Sequence, residues 1–553
     1  MTPTAAGALQ AGLLIMLIAA CHDPVGRLLY ATATGERHLR VERVIYRLIG
    51  VDPRAEQNAR NYLLAVLGFS LAGVLLLYAM LRLQAYLPMS LDRPGFEPDG
   101  AFNTAISFVT NTNWQWYSGD SALGHTVQMA GLSVQNFLSG AVGICVAFVL
   151  VRGFARGGTE QLGNFWVDLT RVTLRVLLPL SIIVAVLFLL GGAVQNFAAP
   201  VPVDTLNGGQ QLIPGGPVAS QEAIKQLGTN GGGFYNANAA HPFENPNPAT
   251  NLLSIWALLV IPFSLPHAFG KMVGDRRQGI ATTAIMGTLW LGSVIIITAS
   301  EIAGRGTAPV AAGGALEGKE ARFGEWASAL YAASTTGTST GAVNAMHDSF
   351  TAAGGGMAML NMMLGEVSPG GVGTGLYSML MIAVLTVFLA GLMVGRSPEY
   401  LGKRIGRDDI TLVALAMLAM PFALLVGAAI SIMNPSGLDS LANTGPHGLS
   451  EMLYGYASAA NNNGSAFAGL SAGTPLLNTG LGLAMLIGRF VPIACVLLLA
   501  GRLAAQPRTE ANAGTFPTHG PLFVSLATFV VIVVAGLTFF PALALGPIAE
   551  ALA

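Results

Sequence analysis

Long apolar runs alternate with polar connections along the whole chain. Ten runs have about the 20 residues a membrane helix needs. They lie near 8–30, 62–82, 125–150, 172–195, 251–273, 279–301, 374–395, 411–433, 476–501 and 521–545. The connections alternate in charge. Those at 31–61, 151–171, 271–278, 396–410 and 502–520 are basic; with Arg27 and Arg175 at helix ends they hold 20 of the 27 Lys and Arg. The other side holds Arg82, Arg93, Lys225, Arg305, Lys319 and Arg322, and Arg489 falls inside the ninth run. The positive-inside rule then puts the basic connections in the cytoplasm and both termini outside. The first run is apolar from about Leu9 and its first cation is Arg27. A secretory signal would carry Lys or Arg ahead of its apolar core, so this run reads as an uncleaved span.

Four outer connections are long. Each holds a stretch fit for a short helix, at 101–109, 220–227, 325–334 and 451–459, and then a small polar segment. The segments are Thr110-Asn111-Thr112-Asn113, Gly228-Thr229-Asn230-Gly231, Thr338-Ser339-Thr340-Gly341 and Asn461-Asn462-Asn463-Gly464. Loops in general favour Asn, Gly, Ser and Thr. The common position, pattern and spacing point beyond ordinary loops, to an internal repeat of helix, pore helix, filter strand, helix. Four such segments around one axis make an ion-selectivity filter. The negative C-terminal ends of the pore helices would face the cation. The expected fold is an all-α polytopic membrane protein. It has ten transmembrane helices in four pseudo-fourfold M1-P-M2 channel-like repeats plus two peripheral helices. The expected boundaries are 1–61 for the first extra helix and its cytoplasmic loop, repeats at 62–171, 172–278, 279–410 and 411–510, and 511–553 for the last extra helix.

The third repeat is irregular. From filter to the next cytoplasmic cation takes 38 to 40 residues in three units (Asn113 to Arg152, Gly231 to Lys271, Gly464 to Arg502) but 55 in the third (Gly341 to Arg396). The excess contains Gly354-Gly355-Gly356 and the Gly-rich stretch 365–375. Glycine costs helix stability, so this region is expected to be non-helical. One reading is a longer outer loop. The other is a broken inner helix whose Gly-rich loop, with Gly370 and Gly371, sits under the filter as a gate. Irregular backbone at membrane depth is tolerated only where it lines a cavity or is buried in protein.

Composition agrees with a lipid environment. The chain is 53% hydrophobic and 10% charged, where a soluble domain carries about 25% charged residues. The net charge of -1 offers nothing to nucleic acid. Cys21, Cys145 and Cys495 all fall in apolar runs, which argues against a disulfide framework. His125, His241, His267 and His347 have no ligand spacing and read as structural.

In a filter, main-chain carbonyls replace the water shell of the ion. Gly231, Gly341 and Gly464 supply backbone freedom, and Asn113 stands in the fourth position, where Asn tolerates left-handed backbone. Asn111, Thr229, Ser339 and Asn462 lie two residues earlier, with Thr112, Asn230, Thr340 and Asn463 between. None of the four segments carries a carboxylate. Calcium or magnesium would want one; a neutral carbonyl cage favours a large monovalent cation, potassium, as transported substrate, with no cofactor. Arg489 in the ninth run and Glu366 in the suspected gate loop are isolated charges at plausible membrane depth, where a charge marks a pathway or a buried pair. Pairing below the filter is one expectation; snorkelling of Arg489 to the interface is the other. Gln115, between Trp114 and Trp116, is placed to bond filter or cavity groups, although an interfacial aromatic belt accounts for the tryptophans equally well. Gly313-Gly314-Ala315-Leu316-Glu317-Gly318-Lys319-Glu320 imitates a phosphate loop but ends in Glu where Ser or Thr is needed. No Asp-Lys-Thr-Gly sequence offers a phosphorylatable aspartate. If ATP drives this protein, another chain hydrolyses it.

Five stretches carry a family resemblance: Thr110-Asn111-Thr112-Asn113-Trp114-Gln115; Thr229-Asn230-Gly231-Gly232-Gly233-Phe234 with His241-Pro242-Phe243-Glu244-Asn245-Pro246; Gly341-Ala342-Val343-Asn344-Ala345-Met346-His347-Asp348; Gly395-Arg396-Ser397-Pro398-Glu399-Tyr400-Leu401-Gly402-Lys403; and Asn461-Asn462-Asn463-Gly464-Ser465-Ala466-Phe467. Over nearly its full length the chain resembles the potassium-binding, channel-like subunit of the bacterial Kdp potassium-pumping ATPase. The resemblance implies a fold akin to the superfamily of potassium transporters. It implies selection of external potassium at Asn111, Thr229, Ser339 and Asn462, with Gly231, Gly341 and Gly464 two residues on, and charged pore positions at Glu366 and Arg489. It also implies sideways passage through an intramembrane tunnel to a P-type ATPase subunit, completed by a single-span third subunit and a small membrane peptide in the bacterial inner membrane. A stand-alone potassium channel or ion-driven transporter of the same fold is the alternative. A solute permease would predict inverted repeats and helices broken at the midplane.

Overall fold

The computed structural model describes residues 2–306, 310, 315–319, 321–395, 398–509 and 515–552. Arg396 and Ser397 of the resemblance, and Gly313, Gly314 and Glu320 of the phosphate-loop imitation, lie outside the described residues. All ten apolar runs are helices long and apolar enough to cross a membrane. In chain order the main helices are α1 Pro3–Thr34, α2 Arg40–Leu48, α3 Ala59–Arg82, α4 Pro98–Val109, α5 Val127–Ala155, α6 Phe165–Leu190, α7 Val218–Leu227 and α8 Pro248–Met272. They continue with α9 Arg276–Ala303, α10 Gly324–Gly337, α11 Ala352–Met363, α12 Thr374–Val394, α13 Arg407–Ile432, α14 Gly445–Ala460, α15 Pro475–Ala505 and α16 Pro521–Leu552. The strands among the described residues form two short hairpins, Val201–Asp204 with Gln210–Ile213 and Glu399–Tyr400 with Lys403–Arg404.

Local chemistry sets the helix starts. Asn58 accepts from the Asn61 amide at 2.9 Å ahead of α3. Asn247, Asp275 and Thr474 cap α8, α9 and α15 in the same way, and α8 and α15 have Pro at their first position. A capping oxygen satisfies amides that have no partner inside the helix, and Pro loses nothing there.

Each unit has an outer first helix and an inner second helix. The most apolar windows of α5 and α8 are 89% and 83% buried, against 17% and 33% for α3 and α6, the first helices of the same units. Helices apolar all round belong in the core. The short helices α4, α7, α10 and α14 stand between the two long helices of each unit and are largely buried.

Three expectations change. The segment 151–171 is mostly helical: α5 runs to Ala155 and α6 begins at Phe165. Arg152 stays inside buried α5 because both its terminal nitrogens bond the Asp168 carboxylate, at 2.5 and 2.8 Å. Gly354-Gly355-Gly356 is helical, inside α11. Each interior glycine costs about 1 kcal/mol, but tight packing needs them here. A Cβ at Gly354 would lie 2.2 Å from Glu301 Oε1, one at Gly355 3.1 Å from the Phe467 ring, and one at Gly356 2.8 Å from Pro547. The backbone breaks only after α11, at 364–373, and turns helical again at Thr374. Finally, Lys225 and Lys319, counted with the outer loop cations, are buried in ion pairs with Glu222 (2.6 Å) and Glu301 (2.8 Å).

His447, in the first turn of α14, ties two other elements together. Its Nε2 meets Asp348 Oδ1 and its Nδ1 meets Glu550 Oε1, both at 2.9 Å. The two carboxylates hold the imidazolium well above its usual range, up to about 10.

Candidate ion-selectivity filter

The four polar segments leave their pore helices identically. The amides of Thr112, Asn230, Thr340 and Asn463 each donate to the carbonyl five residues back, on Ser107, Lys225, Thr335 and Ser458, at 2.8 to 3.0 Å. The residue before each of these has positive φ: Asn111 67°, Thr229 45°, Ser339 53° and Asn462 56°. Non-glycine residues seldom adopt this region. Each costs on the order of 1–3 kcal/mol and persists only where the surroundings over-determine it, chiefly at functional sites. Four at one register mark a built feature.

The position after, at Asn113, Gly231 and Gly464, is again left-handed, with φ of 57°, 116° and 100°. Gly341 is not, and so its glycine serves a different need, which is space. A Cβ there would lie 2.6 Å from the Gly464 carbonyl carbon.

The segments close into a ring. Segments one and two join through Asn111 Nδ2, which donates to the carbonyls of Gly228 (3.2 Å) and Thr229 (3.0 Å), and through Asn230 Nδ2 to Asn111 Oδ1 (2.6 Å). Two and three join by the Gly341 amide to the Asn230 carbonyl at 3.2 Å. Segment four reaches the third unit by Asn463 Nδ2 to the Thr335 carbonyl, in the last turn of α10 ahead of segment three, at 3.2 Å, and four and one join by Asn462 Nδ2 to Thr112 Oγ1 at 3.0 Å. The glycines set the closeness: a Cβ at Gly231 would lie 2.0 Å from the Gly341 nitrogen, and one at Gly464 2.0 Å from the Thr112 oxygen. The carbonyls of Asn111, Ser339 and Asn462 accept no hydrogen bond from the described residues. Buried carbonyls are nearly always paired; a desolvated cation is the partner that three such oxygens would suit. In the second unit the equivalent Thr229 carbonyl is taken by the Asn111 side chain. The first unit thus contributes a side chain as well as a backbone.

The Gly-rich loop docks directly beneath. The Val372 amide donates to Thr229 Oγ1 at 3.0 Å, and the Gly370 amide to the Gly337 carbonyl at 2.7 Å. Gly370 has φ 87°, and a Cβ there would lie 2.0 Å from the Glu366 oxygen; one at Gly371 would lie 3.1 Å from the Thr338 oxygen. Glu366 is buried at φ 60° in the same loop. Ser339 Oγ and Thr374 Oγ1 stand beside its carboxylate, and none of the three groups makes a well-formed hydrogen bond among the described residues. A cavity of about 140 Å³ is lined by Glu366, Thr374 and Asn462 and, from α12, α13 and α16, by Tyr377, Met420, Val531 and Phe539.

Arg489 is buried at mid-helix in α15, so it does not snorkel. It makes no ion pair with Glu366 among the described residues; its Nη2 reaches the Ser139 carbonyl at 3.4 Å. Ser139 in turn donates to Asn111 Oδ1 at 2.7 Å. Arg489 therefore stands behind the first segment, against α5, and acts on Glu366 only through its field. Gln115 spans to the second unit: its Oε1 accepts from the Gly233 amide at 3.0 Å and its Nε2 reaches the Gly233 carbonyl at 3.3 Å. Trp114 is buried and Trp116 bonds the Gly100 carbonyl, so these two pack the pore region and form no lipid-facing belt.

One group of residues escaped the sequence reading. Asn238 Nδ2 donates to the Gly231 carbonyl at 2.7 Å, and its Oδ1 accepts from Lys225 Nζ at 2.9 Å. Lys225 also pairs with Glu222 (2.6 Å) and Glu244 (2.9 Å), and Glu244 Oε1 accepts from the Tyr235 amide at 3.0 Å. All four side chains are buried. The network braces the second segment from behind. The one signal for it was Glu222 and Lys225 three apart in a pore-helix stretch, a helical neighbour pair.

Residues 12–552 match the family profile described as potassium-transporting ATPase A subunit. The potassium-binding subunit of a potassium-transporting ATPase from Kineococcus radiotolerans is 62% identical over 547 residues, covering 99% of this chain and 98% of the relative. Subunits bearing the same description from Clavibacter michiganensis and Mycolicibacterium smegmatis are 58% and 56% identical over the whole of both chains. Among solved structures, the potassium transporter TrkH from Vibrio parahaemolyticus shares the fold, with a TM-score of 0.52 at 15% identity, over 89% of this chain and 97% of that one.

Proposed function

This chain belongs to the potassium-transporting ATPase A subunit family, and from that premise we propose that its ring of four segments binds and selects external potassium for an ATP-driven uptake complex. The observation that carries this reading is the closed ring itself, with four left-handed residues at one register and carbonyls at Asn111, Ser339 and Asn462 that are unpaired among the described residues. Neutral oxygens at fixed spacing replace the hydration shell of a large monovalent cation. The repeats at 62–171, 172–278, 279–410 and 411–510 each supply one wall, and 1–61 and 511–553 flank them. Asn111 to Asn113, Thr229 to Gly231, Ser339 to Gly341 and Asn462 to Gly464 form the filter, Gln115 braces its mouth, and Glu366, Gly370, Gly371 and Arg489 shape its floor. The docked loop blocks a straight path downward, and the sideways cavity under Asn462 offers the ion an exit toward a P-type ATPase subunit. ATP hydrolysis belongs to that partner, and a single-span third subunit and a small peptide complete the complex. The setting is the bacterial inner membrane, with both termini outside.

The test is ATP hydrolysis by the chain purified with its native partners as potassium is titrated. Potassium-stimulated hydrolysis is expected. A preparation without ATPase that still passes potassium in vesicles would move the chain to the channel or ion-driven transporter reading.

Arg489 places a positive charge beside the ion path, which repels a passing cation. Arg489→Gln is expected to raise ATP-independent rubidium flux in vesicles on the order of tenfold. Because no ion pair joins the two charges, swapping them (Glu366→Arg with Arg489→Glu) should not restore a tight barrier. Unchanged flux in Arg489→Gln would remove this residue from the barrier.

A further inference from the structure

A cavity of about 450 Å³ lies far from the filter, where α1, α8 and α9 meet. His22, Asp23, Arg27, His267, Arg276 and Ile280 line it. The three helices close tightly around it: a Cβ at Gly26 would lie 2.7 Å from His267 Cβ, and one at Gly279 2.4 Å from the Pro266 oxygen. The site is therefore formed by the fold, not by loop side chains.

Its depth follows from chain position. His267 precedes the end of α8 by five residues, about 8 Å along the axis, and Ile280 lies one turn into α9. This end of both helices borders the basic connection 271–278, on the cytoplasmic side by the positive-inside rule. About 8 Å inside that end is the level of lipid headgroup and glycerol.

The charge balance favours an anion. Asp23 is already matched by Arg27 Nη2 at 2.5 Å, with His267 Nε2 at 3.3 Å from its other oxygen. Arg276 remains, and the field of Lys271 also falls on His267. His267 is nine-tenths buried, and the nearest polar neighbour of its Nε2 among the described residues is that Asp23 oxygen, at a long 3.3 Å. Asp23 is thus shared between Arg27 and His267, and Arg276 lines the cavity without a counter-charge among the described residues. At the rim, Ile280 is 65% exposed, an apolar surface beside the basic groups for the glycerol and upper acyl carbons to lie against. Guanidinium forks match phosphate geometry, and basic pockets between helices on this side take anionic headgroups.

We propose that this cavity binds the phosphate of an anionic phospholipid in the inner leaflet, held by Arg27, Arg276 and His267. The ligand class is a phosphodiester with acyl chains; free phosphate has the same recognisable group but nothing to place against Ile280.

The test uses the full chain with its native subunits in nanodiscs of phosphatidylcholine containing graded phosphatidylglycerol. Retained phosphatidylglycerol is counted by native mass spectrometry. The double variant Arg27→Gln with Arg276→Gln is expected to bind its tightest phosphatidylglycerol about thirtyfold more weakly. Arg60→Gln removes a charge elsewhere on the basic side and should leave that binding intact, and Arg27→Lys with Arg276→Lys should recover most of it. Equal retention by wild type and the double variant would overturn the proposal, including the case in which another subunit covers the cavity. Displacement of the lipid by millimolar inorganic phosphate would overturn the lipid assignment in favour of free phosphate. If the double variant is produced poorly, His267→Phe gives the same reading, because it removes the ring nitrogens and keeps an aromatic ring in their place.

Discussion

Gly231→Asp should raise the potassium concentration needed for half-maximal ATP hydrolysis by about a hundredfold and let sodium support it. Two effects act together. Gly231 sits at φ 116°, and its Cβ would lie 2.0 Å from the Gly341 nitrogen. A side chain in such backbone costs on the order of 1–3 kcal/mol, and the overlap must be relieved by opening the junction between the second and third segments. About 2.7 kcal/mol corresponds to a hundredfold in affinity. The carboxylate then adds field strength to a ring that has none, and a stronger field favours the smaller cation. Gly231→Ala separates the two: it should weaken potassium binding without admitting sodium. Potassium titration of ATP hydrolysis, repeated with sodium, measures both. Unchanged potassium affinity with sodium still rejected would take Gly231 out of the filter.

The ten spans and the four pore helices were legible because each rests on local pattern. Length and apolarity locate a membrane helix, and small polar segments at a fixed distance from it locate the ring of four segments. The equivalence of Asn111, Thr229, Ser339 and Asn462 was also legible, from alignment of the four segments. What could not be read was packing between distant segments. The triple glycine at 354–356 looked like a helix breaker because its local propensity is poor, and it is helical because Glu301, Phe467 and Pro547 crowd it from outside the segment. Tertiary context overrides propensity in this way. Arg489 and Glu366 looked like a pair because both were isolated in sequence; in space Arg489 belongs with Ser139. Isolation in sequence carries no information about direction.

Lys225→Met should destabilise the protein by about 3–5 kcal/mol, the range for removing one partner of a buried ion pair. Lys225 is fully buried and is the only cation paired with Glu222 and Glu244 among the described residues. Its loss leaves two carboxylates away from water without a counter-charge. The effect should reach the filter, because Asn238 loses the Lys225 contact that orients it toward the Gly231 carbonyl. Thermal inactivation of the purified complex should therefore shift to lower temperature, and the survivors should need more potassium for hydrolysis. The triple variant with Glu222→Gln and Glu244→Gln removes the orphaned charges and should recover most of the stability, since neutral replacement of a buried ion cluster is often tolerated. Potassium affinity should recover less, because Asn238 still lacks its donor. A triple variant as unstable as the single one would mean that Lys225 acts through its packing and not its charge.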